Sequence, residues 1–170
     1  MKILVVFYSR TENTARLAQK ISDLLGADSD RIVSKACYDG WLGYWRGAFH
    51  SLNDERVAIE DAKLSPASYD VVTVGGPVWG GRIASPVRTY LRQHGADFKS
   101  AAFFVTQGGA WPGISFKQME AMSGKQPVAT LSVSTGKFFQ PADDSAVRAF
   151  VDKIKSATAI SRRNGIEPMS

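Results

Sequence analysis

The chain is poor in the residues that build covalently or metal-held cores. It carries one cysteine, Cys37, and two histidines, His50 and His94, among 170 residues. One thiol cannot close an intrachain disulfide, and one thiol with two imidazoles falls short of a Cys/His zinc site, so no metal ligand set is expected. That usage fits a reducing, intracellular compartment. Long apolar runs are also missing. The run Ile3-Leu4-Val5-Val6-Phe7 is followed almost at once by Ser9 and Arg10, far short of the ~20 residues of a membrane span and of a signal-peptide core. The reading is a cytoplasmic protein with no membrane insertion. Charge is unconcentrated too. Lys and Arg number 21 against 16 Asp and Glu, for a net charge of +5. The densest basic cluster is only Arg162-Arg163, and no zinc-finger, basic-zipper or RNP pattern accompanies it, so nucleic acid is not an expected partner.

What remains is an ordinary globular composition, 44% hydrophobic and 22% charged. A chain of this length can bury roughly 70% of its extended surface, enough for a core without staples. The expected organisation is a single domain over residues 1–160 and a polar, disordered tail over 161–170, without internal repeats.

Continuous apolar runs at 3–7, 71–74 and 101–105 have the character of strands buried on both faces of a parallel sheet. Residues 31–36 are mixed, and 128–133 alternate apolar with polar side chains, which suits edge strands. Between them, Leu17, Ile21, Leu24 and Leu25 recur at helical spacing, as do Ile83, Val87, Tyr90 and Leu91, and Val147, Phe150, Val151 and Ile154. Each set marks one buried face of a helix. Gly26 and Gly95 stand at expected C-caps, Asp143 or Asp144 at an expected N-cap. A shorter helix is expected around 115–122, with Met119 and Met122 in the core. Strands alternating with helices imply right-handed βαβ units. Three central and two edge strands give a doubly wound α/β fold, a five-stranded parallel sheet in the order 2-1-3-4-5 between two helical layers. Its switch point lies between the first and third strands, and ligands are expected beyond their carboxyl ends.

Three segments converge there. Tyr8-Ser9-Arg10-Thr11-Glu12-Asn13-Thr14 follows the first strand and opens a helix. Short hydroxyl and amide side chains around helix N-terminal N–H groups can hold a phosphate without lysine, although the same residues could simply cap the helix. Gly75-Gly76-Pro77-Val78-Trp79-Gly80-Gly81-Arg82 follows the third strand. It is expected to be a glycine-rich loop whose tryptophan offers a flat surface to a planar ring. Thr106-Gln107-Gly108-Gly109-Ala110-Trp111 follows the fourth strand and can offer polar groups to a ring edge.

Taken in order, these segments resemble the three FMN-binding loops of the flavodoxin-like family, and the match in element order extends over residues 2–156. The resemblance implies a flavodoxin-like three-layer sandwich with FMN as cofactor. It assigns the phosphate to Ser9, Thr11, Asn13 and Thr14 with the backbone N–H groups of Arg10 and Glu12. The isoalloxazine falls to Pro77, Val78, Trp79 and Gly80, and its far edge to Thr106, Gln107 and Gly108. Two departures stand out. Glu12 replaces the glycine usual in the family, placing a carboxylate near the phosphate. The chain is basic, whereas flavodoxin shuttles are acidic. The long aromatic crossover at 41–49 is expected to pack as a helix on the sheet, with a cover over the ring or a subunit contact, homodimer included, as alternatives.

Other functions of similar folds lack their residues. There is no acidic cluster after the first strand for a phospho-receiver, no cysteine in the first loop for a tyrosine phosphatase, no P-loop and no G-x-S-x-G elbow. His94 reads as a helix-end dipole partner, Cys37 as an inert thiol. No catalytic acid, base or nucleophile is named, because the flavin carries the chemistry. The leading expectation is an NAD(P)H-linked FMN reductase of quinones or similar small acceptors. A one-electron carrier serving a redox partner, and a domain that has lost FMN and binds protein, are the alternatives.

Overall fold

The computed structural model describes residues 2–35, 57–108, 112–135 and 143–164. Cys37, His50, the aromatic stretch 41–49, Gly109, Ala110, Trp111 and residues 165–170 lie outside them. The strands are β1 (Ile3–Phe7), β2 (Asp28–Arg31), β3 (Val71–Trp79), β4 (Arg82–Ile83), β5 (Ala101–Gln107) and β6 (Pro127–Ser134). The helices are α1 (Asn13–Leu25), α2 (Ser85–His94), α3 (Pro112–Ser123) and α4 (Asp143–Asn164). The main path of the sheet is β2-β1-β3-β5-β6, all parallel, with β4 returning antiparallel on β3. Setting that hairpin aside, this is the order expected from the sequence.

Why the central runs are apolar throughout follows from the pleat. Ile3 and Val5 pack with Leu17 and Ile21 of α1 and Phe150 and Ile154 of α4 on one face. Leu4 and Val6 join Val87, Tyr90 and Leu91 of α2 and Met119 of α3 on the other. Successive side chains point to opposite faces, so a strand covered on both sides favours apolar residues at every position; Thr73 of β3, fully buried, is an exception. On β6, which among the described strands pairs with β5 alone, Ala129, Leu131 and Val133 are buried while Thr130 is exposed.

The structure corrects several expectations. The second strand is not 31–36 but Asp28–Arg31, paired with Leu4 through Phe7 of β1. Helix α1 ends at Leu25, and the left-handed cap at Gly26 turns the chain straight into the strand. Backbone pairing makes this edge, so its polar side chains were misleading. Its Asp30 is buried and accepts the N–H groups of Lys63 (2.9 Å) and Leu64 (3.2 Å), tying the returning crossover to the sheet. Ile83 lies in β4 rather than in the helix, which begins at Ser85 with proline in its first turn. Gly95 closes α2 with a right-handed φ of −59°; a Cβ there would lie 2.5 Å from Ser123 Cα, so helix contact explains it, not a left-handed cap. Helix α4 continues to Asn164, into the stretch read as a tail. Gly75 and Gly76 are strand residues, not loop residues, opposite Phe104 and Val105 of β5.

Those two glycines are spacing elements. A Cβ on Gly75 would lie 2.3 Å from the Phe104 ring, and one on Gly76 would lie 2.6 Å from a Val87 methyl. We expect Gly75→Ala to destabilise the protein by about 1–3 kcal/mol through overpacking. Gly113→Ala, in α3 with nothing within 4 Å of the new Cβ, should cost nothing. Urea unfolding of both variants checks the contrast.

Candidate cofactor site

The carboxyl ends of β1, β3, β5 and β6 enclose a cavity of about 200 Å³ lined by Arg10, Thr11, Asn13, Thr14, Pro77, Val78, Trp79, Thr106, Gln107, Gly108 and Thr135. It lies at the switch point, where α1 packs on one face of the sheet and α2 on the other. Ten of the expected site residues are brought together here. Ser9, Glu12 and Gly80 do not line it, and Thr135 was not anticipated. The signal for Thr135 was its place directly after the last strand.

The first loop is shaped from within. Ser9 is buried; its hydroxyl donates to the Thr11 carbonyl oxygen at 2.7 Å and accepts the Ala15 N–H at 3.1 Å. It therefore holds the turn, and it is not among the residues that line the cavity. Glu12 itself makes no side-chain cap bond; in the first turn of α1 the Ala15 N–H is taken by Ser9 Oγ, while those of Asn13 and Thr14, which line the cavity, have no intrahelical acceptor and stand at the positive end of the dipole. Such a helix start is a candidate anion site built from backbone. Glu12 is two-thirds exposed, with its carboxylate 3.6 Å from the Arg31 guanidinium. It points to the solvent side of the loop. Thr14 and Thr106, both buried, share a hydrogen bond of 2.7 Å across 92 residues of sequence. This bond joins the first loop to the end of β5.

The second segment is a hairpin. Trp79 pairs with Arg82 and Val78 with Ile83, and Gly80 and Gly81 adopt φ of 56° and 78°, the conformation a two-residue turn of this hand demands. Trp79 is 6% exposed and set edge-on to Tyr8 at 5.6 Å and 87°. The tryptophan expected in a loop, offering a flat surface to a planar ring, is a strand residue of the core that also lines the cavity, because β3 continues to residue 79.

The third wall has an unmet polar group. Gln107 donates through Nε2 to Ser132 Oγ at 2.9 Å, while its buried Oε1 has no hydrogen-bond partner among the described residues. Thr135 steadies this strand end, its N–H donating to the Gln107 carbonyl oxygen at 2.7 Å. A second cavity, of about 10 Å³ and lined by Asp30, Ile32 and Tyr90 among others, holds a water at most. Burial, then the charges of Asp30 and Asp97, push the Tyr90 phenol up, so it stays protonated.

A family model described as Flavodoxin matches residues 2–154. The chain belongs to the flavodoxin family. None of the curated proteins matches it significantly. Among solved structures it is similar to a flavoprotein of Lactobacillus acidophilus in complex with FMN, at 21% identity and a TM-score of 0.68 over 88% of this chain and 97% of that one. A protein of Bacteroides eggerthii provisionally called a flavoprotein shares 27% identity, with a TM-score of 0.72 over 89% of this chain and 96% of that one. The flavodoxin of Streptococcus pneumoniae superposes with a TM-score of 0.61 at 14% identity, over 92% of this chain and 99% of that one.

FMN is the cofactor of this family, and the residues present fit it. The first two N–H groups of α1 and the hydroxyls of Thr11 and Thr14 suit a phosphate. The unpartnered Gln107 oxygen suits an imide N–H at the ring edge. Among the lining residues there is one cation, Arg10, and no carboxylate. Replacing Thr14 with Val removes a buried hydroxyl that can bridge Thr106 and the phosphate. We expect it to weaken FMN by about 1–3 kcal/mol and riboflavin hardly at all. Fluorescence titration with both flavins measures the difference, and equal losses would show that Thr14 only supports the fold.

Proposed function

We propose that this flavodoxin-family protein is an NAD(P)H-linked FMN reductase acting on quinones or similar small acceptors. The observation that carries the reading is the charge around the site. The described lining holds Arg10 and no carboxylate, Arg82 stands on the hairpin beside Trp79, and the whole chain carries +5. Such a field raises the encounter rate of an anionic dinucleotide and disfavours a neighbouring negative charge less than an acidic surface would.

Bound FMN supplies hydride and electron transfer; the chain supplies everything else. The α1 N-terminus and the threonines would hold the phosphate, and the Gln107 end would hold the opposite edge. Between them Pro77, Val78 and Trp79 provide an apolar wall that excludes water from one side of a planar ring. A cavity of about 200 Å³ is smaller than the 300 Å³ or more typical of sites that enclose a drug-sized ligand. As bounded by the described residues, the cavity would leave part of a bound cofactor open to a second reactant.

The same positive field would also attract an acidic electron-transfer protein, which makes a one-electron carrier the second reading. Stopped-flow mixing of FMN-loaded protein with NADH and NADPH separates the two. Bleaching of the flavin by either nucleotide, followed by reoxidation with a soluble quinone, is the expected result. Bleaching only by a reduced ferredoxin-type protein would give the carrier reading the function.

A further inference from the structure

We propose that Arg31, on the edge strand β2, is a positioning residue for the phosphate end of the cofactor. The proposal rests on FMN occupying the cavity described above. Arg31 is not among the residues lining that cavity, and it belongs to none of the three cofactor segments found in the sequence. It stands opposite Phe7, the last residue of β1, so a long side chain at this register reaches the loop that leaves the strand. One guanidinium nitrogen, Nη2, donates to the Ser9 carbonyl oxygen at 3.0 Å and lies 3.6 Å from Glu12 Oε1.

The two contacts act on the same loop in different ways. The first sets a peptide plane. There is no cis peptide bond among the described residues, so a Ser9 carbonyl drawn towards Arg31 turns the Arg10 N–H the opposite way. The Ser9 hydroxyl fastens the loop through Thr11 and Ala15, while Arg31 fastens it from the neighbouring strand. A donor array held in place before the anion arrives avoids the ordering cost of binding. The second contact concerns charge. Glu12 directly precedes α1, where a carboxylate turned inwards would oppose a dianionic phosphate. Arg31 holds it on the outer side of the loop beside a positive charge.

As a stabilising ion pair this contact counts for little, since the side chains are 47% and 65% exposed and such pairs are screened. Its consequence lies in anion binding. A carbonyl acceptor and a carboxylate converging on one guanidinium suit arginine's multiple donors; lysine would keep the charge with a less fixed geometry. The pairing also accounts for an acidic residue at a position where the family usually has glycine.

Full-length apo protein, titrated with FMN and with riboflavin by flavin fluorescence quenching, tests the role. Arg31→Gln should weaken FMN about tenfold, the effect of losing one charge-assisted hydrogen bond, and change riboflavin less than about twofold. Arg31→Lys should recover part of the loss. Adding Glu12→Gln to Arg31→Gln should also recover part, because the unneutralised carboxylate is then gone, and a double-mutant cycle should show non-additivity. Equal losses for the two flavins would make Arg31 a merely structural residue and overturn the proposal. So would an FMN affinity within about twofold of wild type in folded Arg31→Gln, or no recovery in the double variant. If the wild-type protein quenches neither flavin, the assignment of FMN falls first, and this role with it.

Discussion

The parallel pairing of β1 with β3, with Leu4 opposite Val72 and Val6 opposite Val74, is the constraint on which the rest of the molecule depends. These neighbours in the sheet send their following helices to opposite faces, α1 with α4 on one side and α2 with α3 on the other. The chain therefore diverges above the two strand ends, and the space it leaves is the cavity. Everything that bears on a ligand is attached to this divergence: a helix start from one strand, an apolar hairpin from the other, and polar groups from β5 next door.

Polar contacts then hold those parts at fixed spacing. The Thr14–Thr106 hydrogen bond spans the sheet ends, Ser9 closes the first loop internally, and Arg31 reaches it from the edge strand. Few of these groups are free to move independently. Below them, Gly75 and Gly76 let Phe104 and Val87 approach the β3 backbone, which keeps both layers tight immediately beneath the cavity floor. Packing and binding geometry are coupled there, since a shift of β3 would carry Pro77, Val78 and Trp79 with it.

The candidate site sets a helix N-terminus beside a lining that holds no carboxylate among the described residues. Glu12 is the nearest carboxylate in the first loop, and it is turned outwards to Arg31. Under the proposed function, that arrangement separates two properties often considered together: binding of a phosphate, which the helix start would provide locally, and attraction of an anionic reactant, which net charge would provide over longer distances.

Composition and periodicity determined the fold class, the strand order and the place of the site. The reason is that hydrophobic pattern records how many faces of an element are covered, and strand–helix alternation leaves few topologies to choose from. The three cofactor segments were legible because each combines glycine or hydroxyl residues with the end of an apolar run. Tertiary structure decided what local pattern does not contain. Asp28–Arg31 is a strand because β1 offers it backbone partners, not because its side chains favour one. Trp79 is buried because β3 extends beneath a hairpin, and Gly75 and Gly76 are needed by Phe104 and Val87, side chains distant in sequence. Ser9 turned out to hold the loop while Arg31, silent in the sequence, supports it. Which atom faces a ligand and which faces a neighbour depends on contacts between elements, and those exist only once the sheet has brought them together.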